Sequence, residues 1–199
     1  MSIHRYLSLS IGHAHLHGAL ELPPQPRGLV LLARSHHVPI DDTIAANLAA
    51  RGYAMLVMEL LTAHEMQFAD ATQNVPRLAS RLIEILELIR QDGDMQNLPL
   101  GIFATGDVTP AAIRCAAQRD KQVTVLACHG GLIDRAGGQA LELLAAPLLL
   151  LFDHDDNIGQ AVATRAESRL ACAHETHRLG PGEDPVLRVA AWFSLHFPR

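Results

Sequence analysis

From Gly28 onward, short apolar runs alternate with stretches of helical periodicity, and this alternation narrows the choice of fold more than any other feature of the chain. Strands separated by helices are the mark of βαβ units, which build a mainly parallel sheet covered on both faces. The runs fall at 28–33, 53–58, 100–104, 123–127 and 147–152, with a weaker one at 169–173. Ahead of them, 6–11 and 14–22 read as two strands joined at Gly12-His13, most simply an antiparallel hairpin at the sheet's edge. The expected total is eight strands.

Punctuation between the runs agrees. Asp41 or Asp42 can cap a helix over 43–51, and Gly52 closes it where a left-handed residue is wanted. Asn74 and Pro76 open a longer helix with Leu78, Leu82, Ile85 and Ile89 on one stripe, while Arg81, Glu84 and Glu87 are expected to face away. Shorter helices are expected at 139–145 and 160–168, and Asp184-Pro185 starts a last one that buries Val186, Val189, Ala190 and Phe193.

With 199 residues and 49% hydrophobic content, one domain over 1–199 is the expected organisation. A net charge of −5 without long like-charge runs argues against nucleic acid or an anionic membrane as partner and favours a small neutral or polar ligand. The first residues lack a sustained apolar stretch and no run is long enough to span a bilayer, so a cytoplasmic protein is expected. Cys115, Cys128 and Cys172 are odd in number and widely spaced, which speaks against a disulfide framework and against CxxC chemistry.

In open α/β sheets ligands sit beyond the carboxyl ends of the strands. The residues there are Arg34-Ser35-His36-His37, Glu59 with His64, Gly106-Asp107, Cys128-His129, Asp153-His154-Asp155-Asp156, and His174 with His177. Segment 98–118, LPLGIFATGDVTPAAIRCAAQ, runs from an apolar strand through a tight turn into an Ala-rich helix. That is the setting of a G-x-S-x-G nucleophile elbow, with Gly106 where the serine should stand.

The order and spacing of these segments resemble the α/β-hydrolase superfamily, and within it the small dienelactone-hydrolase-like group. The resemblance covers nearly the whole chain. It rests on G-x-L-x-LP from Gly18 to Pro23, on GLVLLA, ARGYAMLVMELLT, PLGIFATGDVTPAA and APLLLLFDHDD, and on a late histidine before a helix ending AAWFSLHF. It implies a three-layer α/β-hydrolase fold with an eight-stranded, mostly parallel sheet, an antiparallel N-terminal edge and no lid domain.

Carried over residue by residue, the resemblance implies Asp156 as the catalytic acid, with Asp153 and Asp155 as competitors, and His177 as the general base. Gly106 takes the nucleophile position and has no atom with which to attack a carbonyl. Ser35, His36 and His37 occupy the pocket and oxyanion loop, where relatives often place glycines whose backbone N–H groups reach the developing charge. Losing a nucleophile costs a serine hydrolase on the order of a millionfold in rate. The expected function is therefore a hydrolase-like protein, inactive or of altered chemistry, that binds a small molecule without a cofactor or metal.

Three alternatives keep an active enzyme. Asp107 could attack in place of the missing serine, with His177 and Asp156 behind it, but that needs a local bulge, and capping the helix that follows is the preferred reading. Cys128 before His-Gly-Gly superficially resembles a cysteine elbow, but it follows the sixth strand and suits a buried core thiol. His36, His37, His129, His154, Asp156 and His177 could gather a transition metal, without any short ligand signature to mark it.

Overall fold

The protein is described by a computed structural model covering residues 2–37 and 39–197. Strands β1 (Ile3–Ile11) and β2 (Ala14–Leu22) form the expected hairpin, paired antiparallel from Ile3 opposite Leu22 to Ile11 opposite Ala14. β2 then pairs antiparallel with β4 (Ala54–Glu59), which runs parallel to β3 (Leu29–Arg34). Parallel pairing continues through β5 (Leu100–Thr105), β6 (Val123–His129), β7 (Leu148–Phe152) and β8 (His174–Arg178). The result is one eight-stranded sheet in the order β1-β2-β4-β3-β5-β6-β7-β8.

Helices cover both faces because the central strands are apolar on both: every residue of β3 and β7 is buried. On one face α1 (Pro39–Ala50) and α6 (Pro185–His196) pack Ile44, Leu48, Val186, Val189 and Phe193 against Val30, Leu32, Phe103, Val125, Ala127, Leu149 and Leu151. The opposite face receives α2 (Val75–Gln91), α3 (Thr109–Gln118), α4 (Gly138–Leu143) and α5 (Asn157–Ala166). In α2, Asn74 caps the start by accepting from the Arg77 N–H at 3.1 Å, and Leu78, Leu82, Ile85 and Ile89 are buried as a stripe. Each such side chain contributes roughly 1.5–3 kcal/mol on burial.

Two expectations need correction. Arg81 does not face solvent; it is buried, with its guanidinium across both oxygens of Glu65 at 2.6 and 2.8 Å and on the Leu60 carbonyl at 2.5 Å. Helical periodicity pushes an arginine outward only when nothing pairs with it inside, and the turn at Glu65–Gln67 delivers a carboxylate to meet it. The last strand is not 169–173 but His174–Arg178, five polar residues of which four are exposed. An edge strand needs backbone pairing rather than an apolar face, so it leaves little hydrophobic signal, whereas the apolar Leu170 belongs to the end of the preceding turn. Lesser shifts place the start of α1 at Pro39 rather than Thr43 and that of α5 at Asn157 rather than Gln160.

Candidate functional site

β5 ends at Thr105, a single 3-10 turn spans Gly106–Val108, and α3 begins at Thr109 with Pro110 in its first turn. Gly106 sits at the apex with φ +53°, and a Cβ built there meets nothing within 4 Å. The turn leads sharply from strand to helix, the form a nucleophile elbow takes, and the space over Gly106 is open. The turn is braced from behind: a Cβ on Gly131 would come within 2.3 Å of the Gly106 carbonyl oxygen, and Thr109 Oγ1 donates to the Gly130 carbonyl at 2.9 Å. Asp107 is exposed, and its carboxylate accepts no hydrogen bond among the described residues, so it does not cap α3.

Asp156 and His177 are each engaged with a different partner. Asp156 caps α5, accepting from the Gly159 N–H at 2.8 Å, and its other oxygen lies so close to Gly159 that a Cβ there would approach it to 2.5 Å. His177 lies inside β8, and its Nε2 meets Glu183 Oε1 at 3.0 Å. Glu183 is held in turn by the Gly180 N–H at 2.9 Å and by Arg188 Nε at 3.0 Å; these bonds and His177 pull its carboxyl down to about 2. The loop that would carry a base back over the sheet, 179–184, contains no histidine.

Register shows what stands near the elbow instead. Thr105 is opposite His129, His129 opposite Leu151, and Leu151 opposite His177, one row across four strands. At about 4.8 Å per strand, His177 is about 14 Å from Thr105 along that row, while His129 is one strand away. Side chains alternate along a strand, so Thr105 and His129 share the face of Phe103 and Ala127, the face on which α1 lies.

His129 is mostly buried, and its Nε2 meets Asp153 Oδ1, just past β7, at 3.0 Å. Asp41, in the first turn of α1, is 2% exposed, and its Oδ2 has no hydrogen-bond partner among the described residues. Burial raises the Asp41 carboxyl above its ordinary range; Asp42 adds to that, while the charges of Arg34, His129 and His36 oppose it. The adjacent loop is internally paired: Ser35 Oγ and His36 Nδ1 are 3.0 Å apart, and His37 Nε2 meets Asp42 Oδ2 at 2.5 Å. Arg34 reaches Asp42 Oδ1 at 2.9 Å and Glu59 Oε1 at 3.2 Å; its hydrogen bond is the first cause of the lowered Asp42 pKa.

Most of these groups are legible in the sequence in other roles, Asp153 as a competitor of Asp156 and Asp41 as a helix cap. Glu183 escaped notice, although its place two residues before α6 puts it on the loop beside β8. Cys128 is fully buried within β6, and burial pushes its thiol up to about 12, which suits a core residue rather than an attacking thiolate. Among the described residues no three His, Cys, Asp or Glu side chains are grouped to hold a metal, and no helix is long and apolar enough to cross a membrane. Between the β1–β2 turn and the segment after β4, a groove of about 600 Å³ is lined by Ile11, His13, His15, Thr62 and His64 among others.

Sheet order, strand-end elbow and flanking helices define an α/β-hydrolase fold, with no long lid inserted. The chain is similar over 99% of both lengths to a dienelactone hydrolase from Anabaena variabilis, at 26% identity and a TM-score of 0.90. A cold-adapted esterase from an Arctic intertidal metagenomic library shares the fold at 16% identity and a TM-score of 0.78, covering 98% of this chain and 94% of the other. No family model matches the chain. Two Mycobacterium tuberculosis proteins, from strains CDC 1551 and H37Rv and provisionally named phosphoribosyl transferases, are 31% identical over 155 residues, 76% of this chain. The chain spans only 35% of their length, about a third of the curated relatives it matches.

Proposed function

We propose that this is a hydrolase-fold protein that has lost the acyl-enzyme route of its relatives and keeps the strand-end site for a small polar molecule. The observation that carries this reading is Gly106 at the apex of an otherwise intact elbow, φ +53° with open space above it. Esterase and lactonase chemistry of the ordinary kind needs a side-chain oxygen or sulfur there, a base in reach and an acid behind the base. Asp156 engaged as a helix cap and His177 engaged with Glu183 three strands from the elbow both support the loss. In this reading the protein works in the cytoplasm on a neutral or polar ligand, and its net charge of −5 counts against nucleic-acid or anionic-membrane partners.

Rapid mixing with p-nitrophenyl acetate tests the proposal. An acyl-enzyme that accumulates gives a burst of nitrophenolate equal to the protein concentration. The expected trace has no burst; a stoichiometric burst sinks the reading.

A further inference from the structure

Asp41, His129 and Asp153 come from three separate segments at the strand ends that flank the elbow, His129 and Asp153 paired with one another at 3.0 Å. β5 lies between β3 and β6 in the sheet, so the post-β3 helix α1 brings Asp41 to one side of Gly106 while β6 and the post-β7 loop bring His129 and Asp153 to the other. The face of the sheet is the same for α1 and for the His129 side chain. An ionised Asp153 accepts only, so the bond at 3.0 Å requires a proton on His129 Nε2. In the neutral ring this leaves the lone pair on Nδ1, which has no hydrogen-bond partner among the described residues. On the other side, the buried Oδ2 of Asp41 is also unpartnered, a costly arrangement for a group with nothing to bind.

We propose that His129, oriented by Asp153, and Asp41 form an acid–base pair over Gly106 that hydrolyses small activated esters or lactones by direct attack of water. The inference rests on the lost acyl-enzyme route, which leaves the position above Gly106 to a water molecule instead of a serine oxygen. His129 Nδ1 takes a proton from that water as its oxygen bonds to the carbonyl carbon. The carbon–oxygen bond to the leaving group then breaks, and the leaving oxygen takes the proton of the Asp41 carboxyl. Proton transfer from the imidazolium back to Asp41 restores the starting state, so one ester and one water give one acid and one alcohol. Burial raises the Asp41 carboxyl above its ordinary range, the direction a general acid needs.

The test is steady-state hydrolysis of p-nitrophenyl acetate and of an unactivated aliphatic γ-lactone by the full chain. His129→Gln is expected to lower kcat/KM on the order of a hundredfold for both, the size of one general base. His129→Ala should regain turnover when imidazole is added, which a merely structural histidine would not allow. Asp41→Asn should depress the lactone reaction about tenfold more than the p-nitrophenyl ester, because nitrophenolate departs without an acid. His4→Gln, on the far edge strand, should leave both rates unchanged. Unaltered turnover in His129→Gln, turnover no faster than buffer in the parent protein, or equal losses for both substrates in Asp41→Asn would overturn the inference. None of these touches the earlier reading, which falls only to a burst or a covalent acyl adduct.

Discussion

Thr105 and His129 are register partners on β5 and β6, and the next residue after Thr105 is Gly106, so the imidazole beside the elbow is His129 and not His177. His177 occupies the same row two strands further on, tied to Glu183. Proximity decides which histidine can activate a group at the apex, because a base must be within hydrogen-bond reach of the proton it removes.

Gly106→Ser therefore creates a nucleophile that depends on His129. Labelling of this variant by a fluorophosphonate probe should appear where the parent protein shows none, and adding His129→Asn should slow it by on the order of a hundredfold. Adding His177→Asn instead should leave the labelling rate within about twofold of the single variant. In-gel fluorescence time courses measure all three, and the opposite dependence would reassign the base to His177.

Gly106 in the turn and Gly131 behind it should respond to alanine differently. Both have positive φ, +53° at Gly106 and +94° at Gly131, but only Gly131 is hemmed in, by the Gly106 carbonyl and Thr109. Gly106→Ala is expected to cost about 1 kcal/mol, the penalty of a left-handed backbone without new contacts. Gly131→Ala adds backbone overlap and should cost about 3 kcal/mol or more. Urea unfolding of the two variants gives the comparison, and equal costs would mean that the turn is not braced by Gly131.

Glu65 makes stability depend on pH in a defined window. Hydrogen bonds from Arg81 first, and then from Thr62, hold its carboxyl down to about 2 from 4.5, and both partners of the pair are largely shielded from solvent. A depressed carboxylate stabilises the fold above its unfolded pKa and loses that contribution as pH falls through the folded one. The pair should contribute about 3 kcal/mol near neutrality, fading between about pH 5 and pH 2. Denaturant midpoints of the parent protein and Glu65→Gln should differ widely at pH 7 and converge toward pH 2; a constant difference would contradict the assignment.

How legible the chain was depends on the kind of signal each part carries. Buried strands such as Leu148–Phe152 are unbroken apolar runs, and the helix stripe of Leu78, Leu82, Ile85 and Ile89 repeats with helical period, so both could be read directly. β8 could not, since an exposed edge strand of His, Glu, Thr, His and Arg is specified by its neighbour's backbone rather than by its own composition. Arg81 was misread because its partner Glu65 is remote in sequence and close only in the fold.

Site residues divided in the same way. Gly106 was legible as the apex because the elbow is a local pattern of strand, turn and helix. Partnerships were not: His129 with Asp153, and His177 with Glu183, are set by strand register and loop path, which single-sequence spacing does not encode. Asp41 looked like one of two equivalent caps, and only burial separates it from Asp42, which is exposed and paired with Arg34 and His37.

Intact-mass spectrometry of the parent protein after prolonged incubation with excess fluorophosphonate at neutral pH is the most direct measurement of the central claim. A glycine at the apex, with no side-chain oxygen or sulfur to phosphonylate, predicts an unmodified mass. A stoichiometric adduct that maps to the turn at 105–109, or to any residue whose modification abolishes ester turnover, would contradict the loss of the acyl-enzyme route.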